Sequence, residues 1–457
     1  MYDLVIKDGI VIDPERGIRT IASIGITNGI IKRITREDIE GKSIIDAGGL
    51  IVSPGFIDIH THVDAKEDLG KCMAIQGVTS VVSGNCGLNT YPVDKFYKTF
   101  EKGGLVVNEA MLIGHTFELR SQVGITDIFE PASKEQINEM VKLCEDAFKA
   151  GAFGLSFGIE YQPGSSFDEM LELAKVSAKY GRMIAVHTRH DAFRAVEGIH
   201  EALKLAELTG ASLQFAHLEH TFGVGLMTEV LDSLKRARKK GYDVWADSGL
   251  YSAFATLTSA PCFDDGCAEK FGVDYSDFVI ATGTYAGSRC TRELLKQVRK
   301  EEPNSFTIGF TNRDSDAVEA IKEPFVMLSS DIIPSENPDE GHPQATGTVP
   351  KLFRWISREM GLLTTLEAIN KAAFLPAERL GLTNKGRIKV GADADIVIFN
   401  ERTIRDTSDY SIYGNPKEKP QGISAVIIDG KIVVKDNEFI NLKAGKALRK
   451  PLEYYEL

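Results

Sequence analysis

Between residues 51 and 329 short apolar runs alternate with amphipathic stretches, and that alternation restricts the chain to a parallel α/β architecture. The runs are Ile51–Ile59, Val78–Ser83, Ala110–Gly114, Phe153–Phe157, Met183–Val186, Ser212–Ala216, Asp243–Ala246 and Phe325–Ser329. Between them, Ser133–Ala150, Phe167–Tyr180, Arg194–Leu208 and Thr228–Lys240 carry apolar residues at helical spacing. Ser133 with Gln136 predicts a capping box, and Gly151 and Gly181 sit where helix-ending glycines belong. Eight strands favour a closed (β/α)8 barrel of TIM type over an open sheet.

The two ends of the chain read differently. Residues 1–57 alternate apolar and polar positions around hairpin signals at Asp8-Gly9 and Asn28-Gly29, and the pattern returns near Asp429-Gly430. We therefore expect a small β-sandwich built from residues 1–57 and 385–457, around a barrel of residues 58–384. The stretch from Asp247 to Pro324 is too long for a plain connection between the seventh and eighth runs, so an inserted lid over the barrel mouth is expected at about 247–324.

A chain of 457 residues exceeds the usual size of one core. The net charge of −12 is spread along it, which argues against nucleic-acid binding. No stretch approaches the roughly 18 apolar residues of a membrane span, and no secretory signal is evident at the N-terminus, so a cytoplasmic location is expected. The six cysteines are irregularly spaced and read as free thiols or ligands rather than a disulfide framework, with Cys262 and Cys267 near enough in sequence to pair.

In a parallel barrel the functional residues sit at the carboxyl ends of the strands. Those ends supply His60 and His62 after the first run, Cys86 after the second, His115 after the third, His187 after the fifth, His217 after the sixth and Asp331 after the eighth. Taken singly, each has a plainer reading. A strand-end histidine can be a hydrogen-bonded loop residue, a buried cysteine an apolar filler, an aspartate a helix cap. The joint pattern is what argues for a metal site.

The segments PGFIDIHTH, SGNCG, NEAMLIGH, GAFGLSFGIEYQPG, VHTRHD, GHPQATGTVPKLFRW and GRIKVGADADIVIFN resemble the amidohydrolase superfamily almost end to end. Within it, they are most similar to the D-aminoacylase (N-acyl-D-amino-acid deacylase) family. The resemblance implies a zinc-dependent hydrolase of amide bonds acting on a small molecule. It places a tight Zn²⁺ site on Cys86, His187 and His217, and a weaker second site on His60, His62 and Asp331. The fourth run, Gly154–Ile159, lacks the lysine that bridges two metals in many amidohydrolases, which leaves Cys86 as the anionic ligand. Three protein ligands leave a fourth zinc position for water, whose pKa falls towards ~7, with Asp331 as general base and acid. His115, Tyr161 and Arg189 are candidate substrate contacts, and homo-oligomerisation is left open.

Two departures bear on substrate. The family's lysine two residues after the strand-six histidine is Glu219 here, and its His-Pro-Arg reads His342-Pro343-Gln344. Losing both cations weakens the case for a free substrate carboxylate. Arg189 is then the remaining cation among the matched positions, and Arg289 in the insert is a second if the lid closes. Glu219 would repel a carboxylate or receive a cationic group, so an amide with a neutral or basic second polar group is expected. Two other readings stand beside this one: a cyclic amidase of the hydantoinase or dihydropyrimidinase type, and a non-catalytic barrel used as a scaffold.

Overall fold

The computed structural model describes residues 1–332 and 341–452. Its centre is an all-parallel eight-stranded sheet whose strands neighbour one another in chain order. They are β1 (Phe56–Asp58), β2 (Val78–Ser83), β3 (Asn108–Gly114), β4 (Gly154–Gly158), β5 (Met183–His187), β6 (Ser212–Phe215), β7 (Val244–Ser248) and β8 (Val326–Leu328). The Asp331 N–H donates to the His60 carbonyl across the gap between β8 and β1, so the sheet nearly closes into a barrel.

Period-two alternation sorts the side chains of each strand. In β3, Ala110 and Leu112 pack inside the barrel with Ala185 of β5 and Met327 of β8, whereas Met111 and Ile113 face the surrounding helices. The helix Lys134–Ala150 begins at Ser133 with the expected capping box and ends at Gly151 with φ +111°. These helices are amphipathic, and their apolar faces fill the layer around the barrel, which is the largest apolar cluster.

The first apolar run does not form one strand. Ile51–Pro54 belongs to a nine-stranded sheet formed with Tyr2–Asp13, Ile396–Phe399, Ile423–Ile428 and other terminal strands. Only Phe56–Asp58 enters the barrel. The chain crosses between the two sheets at Gly55, where a Cβ would lie 2.3 Å from the Thr79 side chain. The expected terminal domain also gives up its last segment: residues 445 and 447 bridge to Leu105 and Glu109 beside the barrel.

The stretch after β7 carries a three-stranded antiparallel sheet of Phe254–Leu257, Phe278–Ile280 and Phe306–Gly309 with its own apolar core. The helix Asp314–Lys322 that follows packs on the barrel with β8 rather than joining this insert. All six cysteines are free, Cys262 and Cys267 included. Among the described residues no helix is long and apolar enough to cross a membrane.

Candidate metal centre and active site

The last residue of β5 and the loops after β1, β2, β6 and β8 bring His187 together with His60, His62, Cys86, His217 and Asp331 at one end of the barrel. Cys86 Sγ lies 3.4 Å from His60 Nε2, 3.7 Å from His187 Nδ1 and 3.5 Å from His217 Nε2. A thiol has one proton to share, and here it faces three imidazole nitrogens. Tetrahedral zinc with bonds of about 2.3 Å to sulfur and ~2.0–2.1 Å to nitrogen separates those ligand atoms by about 3.5 Å. The donor set therefore fits a zinc ion in both chemistry and spacing. A second group is formed by Asp331 Oδ1, 3.3 Å from both His60 Nε2 and His62 Nε2.

The backbone at these positions is unusual. Cys86, His217 and Asp331 have φ of +50°, +29° and +52°. L-residues adopt this region at a cost of order 1–3 kcal/mol each, and such residues cluster where a side chain must be aimed at a site.

Further carboxylates and hydroxyls hold the imidazoles from behind. Asp247, at the end of β7, lies 3.4 Å from His60 Nδ1, and the same carboxylate accepts the His217 N–H, the Ser329 hydroxyl and the Gln214 amide. Asp191 lies 3.3 Å from His187 Nε2, and Thr221 Oγ1 is 3.2 Å from His217 Nδ1. Such partners fix the ring orientation of metal-binding histidines. His220 places Nδ1 3.1 Å from Asp331 Oδ2. Burial alone raises the Cys86 thiol, but the His60 charge and hydrogen bonds from the surrounding imidazoles prevail and hold it well below the ordinary thiol range. Burial likewise pushes Asp331 up, and His60, His220 and His62 together hold it well below the usual carboxylate range.

Over these groups lies a pocket of about 140 Å³. His62, Cys86, His217 and Asp331 form its floor. Its walls are apolar: Leu88 and Phe117 from the barrel loops, Leu257 and Phe306 from the insert, and Tyr161, whose hydroxyl is 2.9 Å from Thr256 Oγ1.

The remaining candidate substrate contacts are placed elsewhere. His115 shares the outward face of Met111 and Ile113, and its Nε2 meets Glu169 Oε1 at 2.7 Å in a buried cluster with Arg120. Arg189 is held by Glu201 at 2.9 Å and by the carbonyls of Pro163 and Ser165. Arg289 is spent on the Ser276 carbonyl and the Tyr413 hydroxyl. Glu219 is buried, accepts the Ser248 hydroxyl at 2.8 Å and lies 3.3 Å from His220 Nε2. It does not line the pocket, so it gives no reason for a basic substrate. Gln344 also turns inward, donating to the Asp331 carbonyl.

Tyr161, a sequence-based candidate, lines the pocket, whereas Asp247, Asp191 and the other wall residues were absent from the sequence-based candidates. Asp247 carried the signal that marked Asp331, a carboxylate closing an apolar run. Those other wall residues carried none, since apolar side chains on loops look alike whether they pack or face a ligand.

Residues 51–433 match the amidohydrolase family. The chain is 29% identical over 462 residues to an N-acyl-D-glutamate deacylase of Alcaligenes xylosoxydans xylosoxydans, spanning 94% of this chain and 93% of that one. Its structure is similar to a crystal structure of D-aminoacylase, with a TM-score of 0.88 at 25% identity over 98% of this chain and 100% of the other. It is also similar to the N-acyl-D-glutamate deacylase of Bordetella bronchiseptica, solved with zinc and a phosphonate that mimics the tetrahedral intermediate. There the TM-score is 0.86 at 26% identity, over 98% of this chain and 99% of the other.

Proposed function

Because the chain belongs to the amidohydrolase family, we propose that it is a zinc-dependent deacylase cleaving the amide of an N-acyl-D-amino acid or a close relative of one. The observation that carries this reading is the convergence of Cys86 with the nitrogens of His60, His187 and His217 at 3.4–3.7 Å. We assign a tight zinc site to Cys86, His187 and His217 and a weaker one to His60, His62 and Asp331. Bound zinc supplies a Lewis acid that polarises the amide carbonyl and makes water a nucleophile near neutral pH.

The protein's own groups do the rest. Asp331 is on the pocket floor, its carboxylate set by His60, His62 and His220. It takes the proton of the attacking water at Oδ1 and returns it to the leaving nitrogen as the C–N bond breaks. The products are a carboxylic acid, which keeps the water oxygen and its second proton, and an amine; on release that proton passes from the acid to the amine or to solvent. Asp247 and Asp191 keep the His60 and His187 rings in place throughout. The insert covers the substrate as a lid in this reading, tied to the barrel side by Tyr161 to Thr256 and by Lys270 to Glu160 at 2.9 Å. Free cysteines throughout support a cytoplasmic location.

Metal analysis with a hydrolysis panel tests the proposal. Zinc retained through dialysis and release of amine from N-acyl-D-amino acid derivatives are expected. A metal-free protein that stays folded and shows no amidase activity after zinc loading would contradict it.

A further inference from the structure

The deacylase relatives named above act on N-acyl-D-amino acids, and such substrates bring a carboxylate close to the scissile amide. Among the described residues no lysine or arginine lines the pocket. The positions where the resemblance implies cations hold Glu219 and Gln344, both buried and neither in the pocket lining. Arg189 and Arg289 are engaged by Glu201 and by Ser276 and Tyr413. Residues 333–340, which follow Asp331, read IPSENPDE and contain neither lysine nor arginine.

We propose that this site selects an N-acyl compound whose amine portion is uncharged and carries an aromatic or branched aliphatic arm, and that it discriminates against a free carboxylate beside the amide. The inference rests on the deacylase reading and names its substrate class. Leu88, Phe117, Tyr161, Leu257 and Phe306 surround the arm. The volume of about 140 Å³ suits one ring, since a cavity of about 150 Å³ lined by Leu, Ile and Phe takes up benzene. A carboxylate moved from water against such walls loses its hydration and meets no lysine or arginine to offset its charge, whereas a primary carboxamide in its place gives up far less. The Thr256 and Tyr161 hydroxyls can meet a neutral amide group.

The test uses the full-length zinc-loaded protein and a matched pair, N-acetyl-D-phenylalanine and N-acetyl-D-phenylalaninamide. Acetate release gives kcat and KM, and calorimetry gives binding independently of turnover. The amide is expected to lead in kcat/KM by on the order of 10–100-fold, mainly through KM, and to bind correspondingly tighter. Leu257→Arg, at a partly exposed wall position, is expected to reverse the preference by giving the carboxylate a partner. A free acid that leads in both kcat/KM and affinity overturns the inference and leaves the deacylase reading standing. Tighter binding of the amide with no turnover of either compound upholds the selectivity and overturns the deacylase reading. Neither binding nor turnover of either compound overturns both.

Discussion

The floor and the walls of the pocket are built by different parts of the chain. The floor is made at the ends of barrel strands, where Cys86, His217 and Asp331 hold left-handed backbone conformations and Asp247, Asp191 and Thr221 lie behind the imidazoles of His60, His187 and His217. The walls come largely from loops and from the insert, whose Leu257 and Phe306 have ordinary backbones and apolar neighbours. A metal site tolerates little displacement, because ligand distances and ring orientations set its affinity. An apolar wall needs only volume and dryness, so its residues can change while the chemistry beneath it persists. In the proposed reading the reaction is fixed by the barrel and the choice of substrate by what is laid over it.

Substitutions on the floor are expected to have the largest effects. Cys86→Ser should abolish tight zinc binding, and with it turnover, by more than the ~10²–10⁴ typical of losing a positioned acid or base. Zinc content after dialysis and kcat on the same preparation check this together. Asp331→Asn should fold, keep zinc at the Cys86 site and lose on the order of 10²–10⁴ in kcat. A variant with near-normal kcat would remove Asp331 from the proton transfer.

The floor was largely readable from sequence because each proposed ligand closes an apolar run. His115 shows where that rule is too coarse. It closes a run as His187 does, yet Met111, Ile113 and His115 share the outward face of β3, whereas Met183, Ala185 and His187 share the inward face of β5. Counting positions along the strand, not only its end, separates the two. Parity in turn misses His217, which follows Ala216 with φ +29° and so leaves the strand's alternation. The fate of Arg189 lay beyond reach for another reason. Its partner Glu201 is twelve positions on, one of many carboxylates in the chain, and no spacing rule singles it out. The terminal sheet and barrel were separable in outline, but the division of Ile51–Ile59 at Gly55 depends on a close contact with Thr79 that no local pattern announces.

Smaller effects are expected one layer out. Asp247→Asn should weaken zinc binding by about 10–100-fold while leaving the ligand set intact, since the residue orients His60 and supports His217. Competition with a chelator of known affinity measures it. Tyr161→Phe should have the smallest effect, a loss of about 0.5–1.5 kcal/mol from one hydrogen bond between barrel side and insert. It should appear as a few-fold change in KM at unchanged zinc affinity. A change in zinc affinity comparable to that of Asp247→Asn would mean that floor and wall are not separable.

The most direct measurement is the absorption spectrum of the protein loaded with Co²⁺ in place of zinc, for the native chain and for Cys86→Ser. Cobalt bound by a thiolate gives a sulfur-to-metal charge-transfer band that nitrogen and oxygen ligands do not. The account predicts that band in the native protein at stoichiometric metal and its loss in Cys86→Ser. An identical spectrum in the two proteins, with cobalt bound equally tightly, would contradict a metal centre built on Cys86.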